Sequence, residues 1–184
     1  GGEAKIDLRL ARDADIEHMR RHYFAKITTV DEMLGKVLDA LEERGWLDNS
    51  LLIFCSDHGE LLGDHGLPYK WLMYDPVVHV PMCIRYPGAI NHPSEVHDLV
   101  SLMDIGPTVL EAGGIELPTY MEGRSLMPYL SDEEITPRAH VFCEDNYQIM
   151  MRSKTHKMVY YIGQEVGDLY DLEADPDELF NRWE

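Results

Sequence analysis

The sequence predicts an α/β fold: a sheet with flanking helices, followed by a small antiparallel sheet near the carboxy-terminal end. Three observations in the 184-residue chain support this prediction. A long helical pattern leads through a short polar turn into an apolar run, which is the order of a helix and a buried strand. A second apolar run and a second helical pattern come next. Beyond residue 136, short strand-like runs alternate with turn residues, which is typical of an antiparallel sheet.

The first helix is predicted over residues 16–41, where apolar residues recur at steps of three and four. Gly45 follows it, and glycine favours the left-handed conformation that ends many helices. The apolar run at residues 51–55 is then predicted to be a buried strand. Because a helix, a short turn and a buried strand form the αβ unit of a parallel sheet, we expect parallel pairing here.

Two further elements are predicted in the middle of the chain. Residues 77–84 form a second strand-like apolar run. Pro81 inside this run indicates an edge strand or a bulge, because proline cannot donate to a ladder. Residues 104–112 are predicted to form a helix that Asp104 caps and that a Gly-Gly pair ends.

The carboxy-terminal sheet is predicted from four short runs, at residues 141–144, 149–152, 157–162 and 169–172. Turn residues separate them and no long helix lies between them. We therefore predict an α/β unit over residues 1–135 and a small antiparallel sheet subdomain over residues 136–184.

Composition limits the partners of this chain. The formal net charge is −18, which disfavours nucleic acid because a phosphate backbone requires neutralising cations. No apolar run approaches the roughly 18 residues that span a bilayer. Three cysteines without a Cys-x-x-Cys spacing indicate neither a zinc knuckle nor a disulfide framework.

The most informative segment follows the first predicted strand. Residues 56–66 read Ser-Asp-His-Gly-Glu-Leu-Leu-Gly-Asp-His-Gly, and Lys70 lies just beyond them. In open α/β sheets, ligands bind outside the carboxyl ends of the strands. Asp57 and His58 offer a carboxylate and an imidazole to a divalent cation, and Lys70 can pair with an oxyanion beside it. By composition alone such an Asp-His pair is more often a turn and a cap, so both interpretations remain open.

Four segments together resemble the sulfatase family, within the alkaline-phosphatase-like superfamily. They occur in the order that the family uses: residues 56–66 with Lys70, residues 80–88, residues 123–126 and residues 168–178. The resemblance implies that the fold is part of an alkaline-phosphatase-like mixed sheet with flanking helices. It also implies the small antiparallel sheet subdomain that sulfatases have at the carboxy-terminal end.

The resemblance implies roles for individual residues. Asp57 and His58 align with a metal-ligand pair of the family, and Lys70 is spaced like the family lysine that contacts the sulfuryl oxygens of the ester. His65 is a candidate proton donor to the leaving group, because imidazoles transfer protons near neutral pH. A purely structural role for His65 in a turn is equally compatible with the sequence.

The metal and the nucleophile are also implied by the resemblance. Calcium is the first expectation for the divalent cation, with manganese or another divalent ion second. Sulfatases use a formylglycine made from a Cys/Ser-x-Pro-x-Arg segment, and none of Cys55, Cys83 and Cys143 has a proline two residues later. We therefore expect the formylglycine in an amino-terminal part that this chain lacks, so that the chain contains half of the active site. Localisation is left open for the same reason.

The sequence thus predicts metal-dependent hydrolysis of sulfate esters, with an anionic small-molecule or glycan sulfate ester as the partner. A hydrolase of phosphonate monoesters or phosphodiesters in the same superfamily is an alternative, which the Tyr-Asp-Pro stretch at residues 74–76 keeps open. A second alternative is a non-catalytic metal-binding fragment, because this chain has no nucleophile segment. We expect neither nucleic acid binding nor a membrane span, and the oligomeric state is not predicted.

Overall fold

A computed structural model describes residues 8–90, 94–131, 133 and 135–183 of the chain. Its helices are α1 (Asp13–Glu43), α2 (Asp75–Val78), α3 (Ile105–Ala112) and α4 (Met127–Leu130). Its strands are β1 (Leu52–Cys55), β2 (Met82–Arg85), β3 (Val141–Glu144), β4 (Gln148–Arg152), β5 (His156–Tyr161) and β6 (Gly167–Asp171). Strands β1 and β2 form one sheet and β3 to β6 form a second, so an α/β fold with a separate carboxy-terminal sheet is observed, as predicted.

The first predicted helix is confirmed as α1, which is longer than the pattern indicated. Asp13 and Asp15 lie in its first turn, where carboxylates interact favourably with the helix dipole. Gly45, just beyond the end, has a φ of 67°, as expected of the residue that ends a helix. No residue of α1 is buried by the described part of the chain. Although α1 has 31 residues, neither it nor any other helix among the described residues is apolar enough to cross a membrane.

Strands β1 and β2 pair in antiparallel register, from Leu52 opposite Arg85 to Cys55 opposite Met82. The parallel pairing predicted for β1 is therefore wrong for the described strands. The connection between the two strands, residues 56–81, contains only one turn of α-helix, α2, whereas a parallel crossover usually runs through a full α-helix. Strand β1 is also less buried than predicted, since the Phe54 side chain is 42% exposed.

The strand predicted over residues 77–84 is partly wrong. Val77 and Val78 belong to α2, and β2 begins only at Met82. Pro76 in the first turn favours this helix, because its φ is already helical and its missing N–H has no intrahelical partner. Pro81 lies immediately before β2, where it interrupts no ladder hydrogen bond.

The predicted second helix is observed as α3, but Asp104 does not cap it as predicted. Ser101 caps the preceding 3-10 turn, with its Oγ accepting the Met103 N–H at 3.3 Å. The Asp104 carboxylate instead accepts the Ser101 N–H at 2.8 Å and the Arg124 N–H at 2.7 Å. Arg138 donates to both carboxylate oxygens. Asp104 therefore completes the capping box of the 3-10 turn with Ser101 and joins three segments, but its side chain does not cap α3.

The carboxy-terminal sheet is confirmed as four antiparallel strands in sequence order, β3–β4–β5–β6. Its inner face contributes Met150 and Val159 to a hydrophobic cluster with Met73, which lies just before α2. The sheet thus packs on the segment that connects the predicted site to α2. The subdomain boundary between residues 135 and 136 stays a prediction.

Candidate functional site

The loop that leaves β1 is held by local hydrogen bonds. The Ser56 hydroxyl donates to the His58 carbonyl at 2.8 Å, and Asp57 Oδ1 accepts the His58 N–H at 2.9 Å. This N–H is the main reason that the pKa of the Asp57 carboxyl lies below its usual value. The Asp57 side chain is 85% exposed, so the carboxylate is accessible to a ligand from outside.

The imidazole of His58 presents Nε2 beside that carboxylate. Its Nδ1 lies 2.8 Å from the Gly59 carbonyl oxygen, which can only accept, so we assign the proton to Nδ1. Nε2 then keeps its lone pair, and it lies 3.5 Å from Asp57 Oδ2. A carbonyl that fixes the tautomer in this way is a common support of metal-binding histidines. Asp57 and His58 therefore present two neighbouring donor atoms that one cation can share.

Lys70 approaches the same nitrogen. Its Nζ donates a hydrogen bond to His58 Nε2 across 12 residues of chain, and the side chain is exposed. The structure thus brings together three of the four predicted site residues. The Lys70 ammonium lies beside two atoms that can coordinate a cation, and it places positive charge where an anionic ligand could bind.

His65, the fourth predicted residue, has a different partner. Its ring stacks on Tyr74 with the centroids 3.7 Å apart and the planes 10° from parallel. Its φ of 55° lies in the left-handed region, which is uncommon for a residue with a Cβ. Among the described contacts, none joins His65 to the other three predicted residues. The structure places it in the same loop and against Tyr74.

Helix α2 supports the start of this loop. The Gly59 N–H donates to the Val77 carbonyl at 2.7 Å, and the Glu60 N–H donates to the Pro76 carbonyl at 3.1 Å. A Cβ at residue 59 would lie 1.9 Å from the Pro76 oxygen, so only glycine fits there. The backbone next to His58 is thereby tied to α2.

The donor set suits a hard or borderline divalent cation. A carboxylate oxygen favours calcium or magnesium, and an imidazole also tolerates manganese or zinc. Within residues 8–90, 94–131, 133 and 135–183, no group of three or more His, Cys, Asp and Glu side chains is arranged to hold a metal ion. The described part of the chain therefore offers two donors rather than a full coordination shell.

Sequence reasoning missed an ionic cluster between α2 and the carboxy-terminal sheet. Asp75 Oδ1 lies 2.5 Å from Lys157 Nζ, and Asp75 Oδ2 lies 2.8 Å from Arg152 Nη2. Burial acts to raise the pKa of Asp75, but the charges and hydrogen bonds of Lys157 and Arg152 outweigh it, and the pKa is lowered. Lys157 is buried on β5 two residues before the buried Val159. A lysine at an inward strand position was the available signal, since buried lysines require partners.

Two family models match the sequence. One, described as Sulfatase, matches residues 3–115, and the other, described as N-sulphoglucosamine sulphohydrolase, C-terminal, matches residues 63–184. The chain belongs to the sulfatase family. Asp57, His58 and Lys70 all lie within the first match.

Relatives of this sulfatase chain include an N-acetylglucosamine-6-O-sulfatase from Bacteroides thetaiotaomicron. The two are 34% identical over 174 residues, and the match covers 88% of this chain and 31% of that relative. The chain thus spans about a third of the relative's length.

Solved structures show the same fold. The phosphonate monoester hydrolase of Agrobacterium radiobacter has a TM-score of 0.82 at 31% identity, covering 91% of this sulfatase chain and 37% of that protein. A protein solved in complex with its substrate D-glucosamine-2-N,6-O-disulfate has a TM-score of 0.73 at 31% identity, covering 86% of this chain and 35% of its own. These neighbours confirm the predicted fold class.

Proposed function

We propose that the protein containing this chain hydrolyses sulfate esters, and that the chain contributes half of the active site. The observation that carries the proposal is the convergence of Asp57 Oδ2, His58 Nε2 and Lys70 Nζ after β1. Two cation donors with an ammonium beside them suit an ester that bears one negative charge. Membership of the sulfatase family favours sulfate as the group that is released.

Asp57 and His58 are the residues of this chain proposed to hold the divalent cation, with calcium as the first choice and manganese as the second. The fit rests on the two neighbouring donor atoms and on the Nδ1 hydrogen bond that leaves the Nε2 lone pair unprotonated. A bound cation would polarise an ester oxygen and offset the charge that develops there. We place the remaining ligands and the formylglycine in the part of the relatives that this chain does not span.

Lys70 is proposed to bind a sulfuryl oxygen of the ester. If Nε2 of His58 serves as a ligand, it can no longer accept the hydrogen bond from Lys70, so the ammonium becomes available to an anion. A positive charge at that position stabilises the oxygens as the ester bond breaks.

His65 is proposed to donate a proton to the leaving oxygen. Its stack on Tyr74 fixes the plane of the imidazole, which orients both ring nitrogens. A loop backbone held in the left-handed region also restricts where the ring can lie.

The proposed substrate is an anionic small-molecule or glycan sulfate ester. A sugar is supported by the relative named N-acetylglucosamine-6-O-sulfatase and by the neighbour solved with D-glucosamine-2-N,6-O-disulfate as its substrate. The net charge of −18 repels such anions over the molecule as a whole. Capture therefore depends on local positive charge, which Lys70 and a bound cation would supply.

Turnover of an aryl sulfate by the full-length protein tests this proposal. We expect hydrolysis that requires a divalent cation and that falls at least about 100-fold in Asp57→Asn and in Lys70→Met, because each change removes a charge from the reacting centre. Lys36→Met is the matched control, since Lys36 lies exposed on α1, and it should keep wild-type activity. Undiminished turnover in both site variants would contradict the assignment.

A hydrolase of phosphonate monoesters or phosphodiesters is the second candidate. The phosphonate monoester hydrolase has a TM-score of 0.82, against 0.73 for the glucosamine disulfate complex. Asp75 of the Tyr-Asp-Pro stretch does not discriminate, because it is occupied by Lys157 and Arg152. Parallel assays with an aryl sulfate and an aryl phosphonate that share one leaving group decide between the two, and faster phosphonate cleavage overturns the first proposal.

A further inference from the structure

Lys157 is a fully buried lysine whose ammonium lies close to three oxygen atoms. Its side chain is 0% exposed. Nζ donates to the Met73 carbonyl at 3.0 Å and lies 2.5 Å from both Asp75 Oδ1 and Glu178 Oε1. Nζ donates hydrogen bonds to the Met73 carbonyl and to Asp75 Oδ1, whereas Glu178 Oε1 is an ion-pair partner that forms no hydrogen bond.

Glu178 completes the cluster from the segment that follows β6. Its side chain is 1% exposed, and its Oε2 accepts the Asp75 N–H at 2.6 Å. Arg152 on β4 binds the second oxygen of Asp75 at 2.8 Å. Asp75 is therefore held at its backbone N–H and at both carboxylate oxygens, within a cluster of two positive and two negative charges.

This ionic cluster holds the backbone on both sides of Tyr74. The Met73 carbonyl precedes Tyr74, and the Asp75 N–H follows it. Tyr170 of β6 packs against the Tyr74 ring, with centroids 6.1 Å apart. Burial and a hydrogen bond with Tyr74 raise the pKa of the Tyr170 phenol, which keeps this contact uncharged. The Tyr74 ring that stacks on His65 is thus oriented by groups from the carboxy-terminal sheet.

The same cluster reaches the candidate metal ligands through α2. Asp75 is the first residue of that helix. The carbonyls of Pro76 and Val77, one and two residues further, accept the N–H groups of Glu60 and Gly59. A shift of α2 would therefore move the loop that contains His58.

We propose that Lys157 and Glu178 are positioning residues: they set the orientation of the His65 ring and the placement of the loop containing Asp57 and His58. The expected effect on catalysis rests on the proposed function of His65 as a proton donor. The buried cluster has two positive and two negative charges, and removing one of them leaves another uncompensated, so that Asp75 and the start of α2 must rearrange. The effect reaches the site although neither residue belongs to it.

The first test compares two lysines that are three residues apart, in the full-length protein. Lys157→Met removes the buried amine and keeps an apolar chain of similar length. Lys154→Met is the matched control, because that amine is largely exposed and pairs with Asp98 at 2.7 Å, away from α2. The nuclear magnetic resonance signals of 13C-labelled histidine, with His65 assigned by His65→Gln, report the stack on Tyr74. We expect the His65 signal to move toward that of an unstacked imidazole in Lys157→Met only.

The second measurement separates positioning from loss of folded protein. A proton donor matters most for an ester with a poor leaving group, so misplacing His65 should lower kcat for such an ester at least about tenfold more than kcat for an activated aryl ester. A purely structural defect lowers both rates by the same factor. Equal losses with an unchanged His65 signal, or the same changes in Lys154→Met, overturn the proposal.

Glu178→Gln decides the question if Lys157→Met does not fold. This change keeps a side-chain oxygen for the Asp75 N–H and removes the charge that pairs with Lys157. We expect a smaller shift of the His65 signal in the same direction, and an unchanged signal in the folded variant rejects the inference. If wild-type protein hydrolyses no ester, the proposed function fails, and the resonance comparison still decides whether the cluster positions His65.

Discussion

Gly59 affects both the position and the tautomer of the candidate ligand His58. Its Cα faces the Pro76 oxygen across a gap that leaves no room for a methyl group. Its carbonyl accepts the proton of His58 Nδ1 and so leaves Nε2 with a lone pair. One glycine thus has two functions, since the close approach to α2 also brings that carbonyl to the imidazole.

Gly59→Ala is expected to push this loop away from α2. The clash with the Pro76 oxygen should break the hydrogen bond to Val77 and lower the free energy of unfolding by about 2–3 kcal/mol. Binding of calcium or manganese, measured by titration calorimetry on the full-length protein, should weaken in parallel. Gly35→Ala is the control, because a Cβ there meets nothing within 4 Å. In the interior of α1 it should stabilise by up to about 1 kcal/mol and leave cation affinity unchanged; wild-type affinity in Gly59→Ala would contradict the role of the close approach.

Among the connecting elements, Asp104 links the start of α3 to the segments that precede α4 and β3. The carboxylate is 1% exposed and binds the Arg138 guanidinium through both oxygens, at 2.7 and 2.8 Å. Burial acts to raise the pKa of Asp104, but Arg138 and the N–H groups of Arg124 and Ser101 outweigh it, and the pKa is lowered. A depressed carboxyl pKa stabilises the fold above the pKa of the unfolded chain, about 3.9, and this stabilisation is lost as the pH falls through the folded pKa.

Asp104→Asn should therefore lower the free energy of unfolding most strongly near neutral pH. We expect the free energy of unfolding in urea to fall by about 2–3 kcal/mol at pH 7, because Arg138 loses its charged partner. The penalty should begin to shrink below about pH 4, where Asp104 of the unfolded wild-type chain takes up a proton, and it should be lost as the pH falls through the lower pKa of the folded state. Asp48→Asn is the comparison, since its pair with Arg85 is 92% exposed on the Asp48 side and should change stability by no more than about 0.5 kcal/mol. An equal penalty at both pH values would rule out the depressed pKa as its cause.

Elements were predictable where local pattern decides them. The apolar stripe predicted α1, and short alternating runs with turns predicted all four strands of the carboxy-terminal sheet. The error at Val77 overlooked a local signal, Pro76 in the first turn of α2. The error at Asp104 has another cause, because its partners lie in segments distant in sequence. Arg138, for example, binds Asp104 across 34 residues of chain.

The residues of the candidate site could be predicted from the sequence, whereas the residues that support them could not. Asp57, His58 and Lys70 could be placed together from the sequence because 12 residues separate the contacting pair His58 and Lys70. The support of the site could not be predicted, because Asp75 meets Lys157 across 82 residues and Glu178 across 103. No local pattern records such pairings.

For the whole molecule, the small number of metal ligands brought together and the missing nucleophile segment lead to one expectation about activity. The 184-residue sulfatase chain by itself should hydrolyse no sulfate ester. Its sequence has no Cys/Ser-x-Pro-x-Arg segment, and its described residues contain no group of three or more side chains arranged to hold a metal ion. The assay follows the release of a phenol from an aryl sulfate. The chain is used at a concentration at which the full-length protein gives a saturated signal. Turnover by the chain that Asp57→Ala abolishes would refute the expectation.

The ionic cluster of Asp75, Arg152, Lys157 and Glu178 also constrains how this sequence can change over generations. A substitution at Lys157 alone leaves the buried Glu178 carboxylate without its ammonium partner, and one at Glu178 alone leaves the cluster with one positive charge in excess. In related sequences, loss of one of these charges should therefore be accompanied by a change at a second position of the cluster. The two residues, 21 positions apart and on different segments, should be inherited as a pair.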